Sequence, residues 1–364
     1  MSLSHSKYGE KSFVLDSTIP GTVPDDRLDP PPRHGRIPGH GVLGAIGRTP
    51  LVDLERYLAG PRTVWAKLEG CNPGGSAKAR SAARIIADAV SSGKVGPGTT
   101  VIESTSGNMG VGLAQACVYY GLKLICVADS RSNPMTTGTM RALGADVRVV
   151  DQPAPGSDLL QARLDLVERL LREIPDSFWP NQYANESNPA AHADGTMREI
   201  DEALDGRVDC VLVAAGTAGT VRGCLDYVRR EGRPTRVVAV DARGSVLFGG
   251  ERGARMLPGM GAGRRSGIVE STTPDQVVMV DEIECVIGCR RLAAREGILA
   301  GASSGGVLAA LDRLSGSIDR DARCVVILAD SGQAYLDTVY NDDWVDRTLD
   351  CGPDRLADLV RGSG

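Results

Sequence analysis

The sequence is poor in the residues that mark several classes of protein. Its 364 residues include only four histidines and 4% aromatic residues, and its nine cysteines form no C-x-x-C pair. No apolar run approaches the roughly 20 residues that a membrane-spanning helix needs, and the N-terminal segment lacks the apolar core of a secretory signal. The net charge is −5, and the sequence contains no cluster of basic residues that would indicate binding of nucleic acid. We therefore expect a cytoplasmic protein that binds neither a membrane nor nucleic acid.

The cysteines also argue against a metal site and against a disulfide framework. Most of them lie in apolar runs, as buried thiols do in a reducing compartment. Cys285 and Cys289 are four residues apart and could face one way on a helix, but no histidine lies near them in the sequence. We therefore predict no metal site.

Strand-like and helix-like segments alternate through most of the chain. The runs 122–127 and 324–328 are rich in Val, Ile and Leu, which is typical of strands buried on both faces of a parallel sheet. The amphipathic segment 159–171 is predicted as a surface helix between two lobes. With 42% hydrophobic residues, the chain can build two cores. The sequence therefore predicts an α/β protein with two lobes, each with a mainly parallel, twisted sheet flanked by helices.

Composition and the alternation of strand-like and helix-like segments divide the chain into an arm, two lobes and a tail. Residues 1–40 are polar and rich in proline and glycine, which predicts an extended arm, either disordered or laid across a neighbouring subunit. Residues 61–185 are expected to form a smaller, mobile lobe. Residues 41–60 together with 186–350 are expected to form a larger lobe, and 351–364 a C-terminal tail.

One lysine, Lys78, stands at the predicted start of a helix. A Pro-Gly-Gly turn at 73–75 ends the preceding element, Ser76 is a residue type favoured as a helix N-cap, and the apolar residues that follow recur at helical spacing. An amine beside the positive end of a helix dipole, with Arg80 nearby, is harder to protonate and can attack a carbonyl or carry a Schiff base. Taken alone, the pattern is more typical of a solvated lysine at an ordinary helix start.

Four turns rich in glycine and serine stand where a sheet of this class binds its ligands, after a strand or before a helix. They are 103–110 (ESTSGNMG), 216–220 (GTAGT), 301–306 (GASSGG) and 330–333 (DSGQ). The hydroxyls and backbone N–H groups of the first suit a carboxylate, and its Asn108 amide can bond a phenolic oxygen. The small residues of the second suit a phosphate. Each turn alone could be ordinary loop, but four of them together with Lys78 indicate one site.

The order of these motifs resembles that of the fold-type II pyridoxal-phosphate enzymes typified by cysteine synthase. The resemblance covers about residues 44–340 and rests on K-L-E-x-x-N-P-G-G-S-x-K, S-T-S-G-N, G-T-x-G-T, A-S-S-G and D-S-G. Four further stretches, 102–108, 179–186, 240–249 and 257–262, are more similar to the branch that joins O-phospho-L-serine to L-glutamate.

The resemblance implies a cofactor, a reaction and an assembly. The cofactor is pyridoxal 5′-phosphate, and the substrates are small amino acids. The reaction is a β-replacement that passes through an aminoacrylate and gives N-(2-amino-2-carboxyethyl)-L-glutamate and phosphate. The product is a precursor of 2,3-diaminopropionate, which is used in siderophores and peptide antibiotics. The assembly is a homodimer.

It also implies roles for residues that match the motifs. Lys78 is expected to form the internal aldimine, Asn108 to bond the 3′-oxygen of the cofactor, and Ser303 its ring nitrogen. The cofactor phosphate is expected to be bound by Gly216, Thr217, Ala218, Gly219 and Thr220. The substrate α-carboxylate is expected to be bound by Thr105, Ser106, Gly107, Met109 and Gln182. Arg163 and Tyr183 match positions that handle substrate in the phosphoserine branch.

Two residues depart from the pattern, and three other functions fit the motifs. Ala79 replaces an acidic residue that is often found there, and Gly216 stands where the phosphoserine branch carries a serine. Cysteine synthase shares every cofactor motif and differs in nucleophile and leaving group. A threonine or serine dehydratase would release ammonia and a keto acid, and an interaction protein that has lost its cofactor would have no need of Lys78. From spacing alone, Arg163 also fits a solvated residue on the outer side of a helix.

Overall fold

The apolar runs of the sequence form two separate sheets in the computed structural model, which describes residues 41–58, 63–153, 158–319 and 321–362. The described strands are β1 (Leu51–Asp53), β2 (Val64–Leu68), β3 (Thr100–Ser104), β4 (Lys123–Asp129), β5 (Asp146–Val150), β6 (Ser177–Phe178), β7 (Cys210–Ala214), β8 (Arg236–Ala242), β9 (Gln276–Val280) and β10 (Cys324–Leu328). One sheet has the order β1-β2-β10-β7-β8-β9 and the other β5-β4-β3-β6. Among these strands only β1 pairs antiparallel, with β2. The predicted arm, 1–40, lies outside the described residues.

Helices cover both sheets. The described α-helices are α1 (Lys78–Ser91), α2 (Asn108–Tyr120), α3 (Pro134–Ala142), α4 (Leu159–Glu173), α5 (Ser187–Ala191), α6 (Arg198–Ala203), α7 (Gly219–Arg230), α8 (Gly267–Glu270), α9 (Glu282–Glu296), α10 (Ala302–Leu314), α11 (Asp342–Leu349) and α12 (Pro353–Arg361). A stretch of π-helix, His192–Met197, joins α5 to α6. None of the described helices is both long and apolar enough to cross a membrane.

The central strands of the larger sheet are buried on both faces, as their composition predicted. In β7, Leu212 packs into the core beneath α9 and α10, whereas its neighbours Val211 and Val213 pack into the core on the opposite face, beneath α7. Alternate residues of a strand point to opposite faces, so a strand that is apolar at every position needs a cover on each side. The predicted fold class is thereby confirmed.

The smaller sheet is covered in the same way. In β3, Val101 packs with α1 and α2, and Ile102 packs on the other face with Val167 and Leu170 of α4. Helix α4 therefore covers one face of this sheet and runs two residues beyond the predicted end at Leu171. Its packing gives the smaller sheet a second layer.

Two predicted boundaries differ from the structure. The predicted range of the smaller lobe, 61–185, includes β2. In the structure β2 pairs with β10 in the larger sheet, and its Val64 and Ala66 belong to the core of that sheet. The predicted C-terminal tail contains α12, whose Leu356 is buried in that core against α9. In both cases apolar side chains find their partners far along the chain, which local composition does not indicate. The remaining lobe bounds stay a prediction.

Candidate active site

Lys78 begins α1, at the helix start that the sequence predicted. The predicted cap is wrong in detail, because the residue before the helix is Ala77 and the Ser76 hydroxyl only accepts a 3.3 Å hydrogen bond from the Lys78 N–H. Ser76 instead forms a β-bridge to Asp330, and the Ala77 N–H donates to the carbonyl oxygen of Ala329 at 2.8 Å, so this turn is fixed to the end of β10. Burial lowers the pKa of the Lys78 amine, while the charge of Asp330 raises it. A buried amine that loses its proton readily can act as a nucleophile and as a base.

Arg80 was expected to make Lys78 harder to protonate, but its charge is matched by two carboxylates. Its Nε donates to Glu69 Oε2 and its Nη1 to Glu199 Oε1, each at 2.7 Å, and Lys67 Nζ donates to Glu199 Oε2 at 2.7 Å. We call Lys67, Glu69, Arg80 and Glu199 the buried charge network, since none of these side chains is more than 13% exposed. Burial raises the pKa of Glu199, but its bonds to Arg80 and Lys67 outweigh burial and lower that pKa to about 2. The network fixes the segment that leads from β2 to Lys78.

The turn predicted to bind a substrate carboxylate lies between β3 and α2. Gly107 is the last residue before α2, and no side chain of the described residues caps this helix end. The first N–H groups of the helix, from Asn108 onward, have no carbonyl partner within the helix and carry the positive end of its dipole. Thr105 and Ser106 add hydroxyls, whereas Met109 is buried in the core. The turn therefore has the chemistry of an anion site.

Arg163 reaches this turn from α4. Its Nη1 donates to Ser106 Oγ at 3.4 Å, and its Nε lies 3.5 Å from Asp129 Oδ2 at the end of β4. The side chain is 13% exposed, so the interpretation as a solvated residue on the outer side of the helix is wrong. Its buried Nε has no hydrogen-bond partner among the described residues. A guanidinium that shares Asp129 with Arg131 and makes one long hydrogen bond to Ser106 therefore stands beside the carboxylate turn.

The turn predicted to bind a phosphate, 216–220, joins β7 to α7. Ala218 is left-handed, with φ +66°, and α7 begins at Gly219. A side chain would not fit at Gly219, because its Cβ would lie 2.3 Å from Asn188 Oδ1. The backbone therefore turns tightly and presents the positive end of a 12-residue helix, as phosphate-binding turns do.

Asn188 connects three parts of the site, and the sequence analysis missed it. Its Oδ1 accepts from Ser81 Oγ at 2.7 Å, on the helix that Lys78 begins. Its Nδ2 donates to the Gln182 carbonyl oxygen at 2.8 Å and to Thr217 Oγ1 at 3.1 Å. One buried amide thus joins the lysine helix, a predicted carboxylate ligand and the phosphate turn.

His192, in the π-helical stretch, makes a second connection that was missed. Its Nε2 lies 3.0 Å from Ser81 Oγ and 3.3 Å from Thr220 Oγ1, and its Nδ1 lies 3.0 Å from Thr196 Oγ1. Burial, followed by the positive charges nearby, lowers the pKa of His192 well below its ordinary value. The ring is therefore neutral and orients hydroxyls. π-Helical turns of this kind are frequent at functional sites.

Asn108, the predicted partner of the cofactor's 3′-oxygen, bonds a carboxylate that received no role in the sequence analysis. Asn108 Nδ2 donates to Asp330 Oδ2 at 2.9 Å, and Tyr335 OH donates to the same oxygen at 2.8 Å. Burial raises the pKa of Asp330, and these bonds and the charge of Lys78 oppose that shift.

Ser303, the predicted partner of the ring nitrogen, is the second residue of α10 and is buried. The hydroxyl of its neighbour Ser304 accepts from the Ala329 N–H at 3.1 Å and is therefore engaged with the backbone. Ser303 Oγ and Tyr335 OH lie 3.7 and 3.5 Å from the place where a Cβ would stand on Gly259. Ser303 therefore lies near the cluster formed by Asn108, Asp330 and Tyr335.

Gln182 and Tyr183 follow β6, beside the carboxylate turn. The Gln182 N–H donates to Glu103 Oε2 at 3.4 Å. Glu103 is 1% exposed, and burial raises its pKa to about 7. Burial also raises the pKa of Tyr183, and the charges of Arg163 and Arg255 lower it.

Arg255 supplies a second guanidinium on this side of the site. It is half-buried, and its Nη1 donates to the Gly244 carbonyl oxygen at 2.6 Å. It forms no ion pair within 4.0 Å with any carboxylate that the structure describes. The charges of Asp241 and Glu282 act on Arg255 only from beyond ion-pair distance. A half-buried guanidinium without a direct ion pair among the described residues suits an anionic ligand.

These contacts bring the predicted residues together into one connected site. Asn188 and His192 join the Lys78 helix to the phosphate turn, Arg163 reaches the carboxylate turn, and Asp330 joins Asn108 to the end of β10. The glycine turn fits a phosphate, and the buried amine of Lys78 fits a carbonyl that forms a Schiff base. The individual roles of the site residues stay predictions.

Comparison with known proteins identifies the class. The family model described as "Pyridoxal-phosphate dependent enzyme" matches residues 42–330, and the chain belongs to this family. Its cofactor is therefore pyridoxal phosphate, as predicted, and the predicted family is confirmed.

Three relatives place the chain within the family. It is 42% identical over 307 residues, 84% of this chain and 91% of the other, to the N-(2-amino-2-carboxyethyl)-L-glutamate synthase of Ralstonia nicotianae. The crystal structure of O-ureido-L-serine synthase is similar with a TM-score of 0.76 at 30% identity, covering 87% of this chain and 98% of that one. The O-acetylserine dependent cystathionine beta-synthase of Helicobacter pylori is similar with a TM-score of 0.76 at 30% identity, covering 82% and 98%. The chain is thus an enzyme whose relatives act in amino-acid chemistry.

Proposed function

We propose that the enzyme replaces the phosphate of O-phospho-L-serine by the amino group of L-glutamate, which gives N-(2-amino-2-carboxyethyl)-L-glutamate and phosphate. The name of the Ralstonia nicotianae relative supports this substrate pair. The observation that carries the proposal is the buried guanidinium of Arg163 beside the carboxylate turn, where it contacts Ser106 and shares Asp129 with Arg131. A departing phosphate bears close to two negative charges and needs such a donor, whereas an acetate leaving group does not.

Arg255 supports an anionic second substrate. Its guanidinium forms no direct ion pair among the described residues, and its charge acts on Tyr183, which follows the predicted carboxylate ligand Gln182. Glutamate carries two carboxylates, so its binding calls for more positive charge than the binding of sulfide does. We assign Arg255 to the glutamate side of the pocket.

The cofactor's attachment and its chemistry follow from the residues present. Lys78 would hold pyridoxal phosphate covalently, the turn 216–220 would bind its phosphate, and Asn108 and Ser303 would contact its ring. When bound, it withdraws electrons from the substrate Cα, which makes the Cα proton removable. A hydroxyl such as that of Ser303 does not hold a ring nitrogen protonated as a carboxylate does. This favours loss of the leaving group over transamination.

The protein's own groups then move protons and exclude water. Once the amino group of the substrate has displaced it from its covalent link, the free Lys78 amine would take the proton from Cα. The Cβ–O bond then breaks with its electron pair leaving on phosphate, which Arg163 stabilises. The glutamate nitrogen forms a bond to Cβ and gives up a proton, and Lys78 returns a proton to Cα. The turn 105–109 anchors the substrate carboxylate. Closure of the smaller lobe over it, which stays a prediction, would keep water from Cβ.

The proposal also covers the use of the product, the location of the enzyme and its oligomeric state. The product would supply 2,3-diaminopropionate for a siderophore or a peptide antibiotic. The enzyme would act in the cytoplasm as a homodimer.

A cysteine synthase with O-acetylserine or O-phosphoserine as donor is the alternative, and one residue favours it. Gly216 lacks the serine hydroxyl of the phosphoserine branch, and a Cβ there would lie 3.1 Å from the Gly259 carbonyl oxygen. A side chain at this position therefore needs a small shift of the neighbouring backbone.

The test compares donors in one variant. Arg163→Ala is expected to lose on the order of tenfold to a thousandfold in kcat/KM with phosphoserine and much less with acetylserine. The control is Arg169→Ala on the same helix, where the arginine is 63% exposed and, within the part of the chain that the structure describes, is ion-paired only with Glu173. Equal losses with both donors would assign Arg163 to glutamate binding or to packing. No loss with either donor would remove the basis for phosphoserine.

A further inference from the structure

Asp330, the first residue of the turn 330–333, is a buried carboxylate just after β10, and neither the sequence analysis nor the proposed reaction gives it a role. It is 5% exposed, and its backbone fixes two neighbouring segments: it forms the bridge to Ser76 before Lys78, and its carbonyl oxygen accepts from the Gly301 N–H at 3.1 Å. Its side chain therefore lies between the lysine turn and the start of α10.

The chain makes room for this carboxylate at a cost. A Cβ at Gly301 would lie 2.1 Å from Asp330 Oδ1, so only glycine fits there. Oδ1 is buried and has no hydrogen-bond partner among the described residues. A buried acceptor without a donor costs about 1–3 kcal/mol, more when it is charged. A carboxylate kept under these conditions indicates a task other than stabilising the fold.

Its contacts determine the orientation of Asn108. An ionised carboxylate only accepts hydrogen bonds, so the group that Asn108 places 2.9 Å from Asp330 Oδ2 is its NH₂ and not its oxygen. Tyr335 OH donates to the same oxygen at 2.8 Å and holds Oδ2 from a second direction. The Asn108 amide therefore cannot exchange its oxygen and nitrogen without losing this bond. The second hydrogen of the NH₂ group is left for another acceptor.

We propose that Asp330 is a positioning residue: it directs the free N–H of Asn108 to the 3′-oxygen of the cofactor and places a negative charge beside the Lys78 amine. The titratable groups that face it are Lys78 on α1, Tyr335 after β10 and Cys289 on α9. The inference depends on the cofactor site and not on the identity of the substrates. Its failure is therefore distinguishable from failure of the proposed reaction.

The first test measures cofactor affinity without turnover. Pyridoxal phosphate is titrated into the apo-protein of the wild type, Asp330→Asn and Asp330→Ala, with thermal unfolding of each apo-protein as the check on folding. Asp330→Ala is expected to bind about tenfold more weakly, since it loses a hydrogen bond to a charged group. Asp330→Asn keeps an oxygen acceptor for Asn108 and should recover most of that loss. Wild-type affinity in the Ala variant would overturn the proposal.

A double-mutant cycle separates positioning from packing. If Asp330 acts through Asn108, Asp330→Ala should change the affinity little in an Asn108→Ala background. An undiminished loss in that background would overturn the positioning role, because the effect would then not pass through Asn108.

The second test reads the charge beside Lys78. The apo-protein is reductively methylated over a range of pH, and modification of Lys78 is followed by peptide mass spectrometry. Loss of a nearby negative charge destabilises the ammonium form, so Lys78 should react at lower pH in both Asp330→Asn and Asp330→Ala. An unchanged profile in both variants would contradict a charged Asp330 at this place.

Discussion

The buried Glu103 carboxyl should make the stability of the protein fall as the pH rises towards neutrality. Burial raises its pKa from the ordinary 4.5 to about 7, a difference that corresponds to about 3 kcal/mol at 1.36 kcal/mol for each pH unit. Below pH 4.5 the group is protonated in the folded and unfolded chains alike. Between these two values the folded protein keeps the proton that the unfolded chain releases, so the stabilisation by neutral Glu103 is lost as the pH passes through about 7.

The substitution Glu103→Gln removes this dependence, because a neutral amide does not titrate. Urea unfolding of the apo-protein at pH 5, 6, 7 and 8 measures it in the wild type and the variant. The free energy of unfolding of the variant, relative to the wild type, should rise by up to about 3 kcal/mol from pH 5 to pH 8. Glu173→Gln is the matched control, since Glu173 is 60% exposed on α4. A difference between Glu103→Gln and the wild type that stays constant with pH would refute a proton on buried Glu103.

Three further predictions concern the site and its support. Lys78→Ala should abolish the covalent link to the cofactor, and borohydride reduction followed by mass spectrometry checks this; a cofactor still linked at normal turnover would contradict the assignment. Glu199→Ala should lower the free energy of unfolding by about 3–5 kcal/mol, because it removes the carboxylate that pairs with buried Lys67 and leaves buried Arg80 with Glu69 alone; a change below 1 kcal/mol in urea unfolding would mean that the buried charge network contributes little. Ser303→Asp should alter the absorption of the bound cofactor and slow phosphate release, since a carboxylate holds a ring nitrogen protonated; unchanged spectra and rates would mean that Ser303 does not face the ring.

Local pattern predicted the elements that are buried on both faces. Strands such as β7 and β10 are continuous apolar runs, and their composition alone indicates their class. The sequence did not predict β2, an interior strand that contains Lys67, nor β1 and β6, which are three and two residues long, nor β9, an edge strand with an exposed position. Short and edge strands depend on pairing with an adjacent strand, and local composition does not indicate that pairing.

The parts of the site that lie within one contiguous motif could be predicted from the sequence. Lys78 and the turn 216–220 stand where the motifs placed them, at helix starts. The contacts of Asn188 and Asp330 were not predictable, because their partners lie far along the chain, 107 residues away for Ser81 with Asn188 and 222 for Asn108 with Asp330. A single asparagine or aspartate carries no periodic signal, so its partners emerge only from the packing of the two sheets.

Product analysis is the direct test of the proposed substrate pair. The holoenzyme is given O-phospho-L-serine with ¹⁵N-labelled L-glutamate and sulfide in competition, and the products are separated and identified by mass spectrometry. We expect N-(2-amino-2-carboxyethyl)-L-glutamate that retains the label, together with one phosphate for each product molecule. Cysteine as the product, or pyruvate and ammonia with the labelled glutamate unchanged, would contradict it.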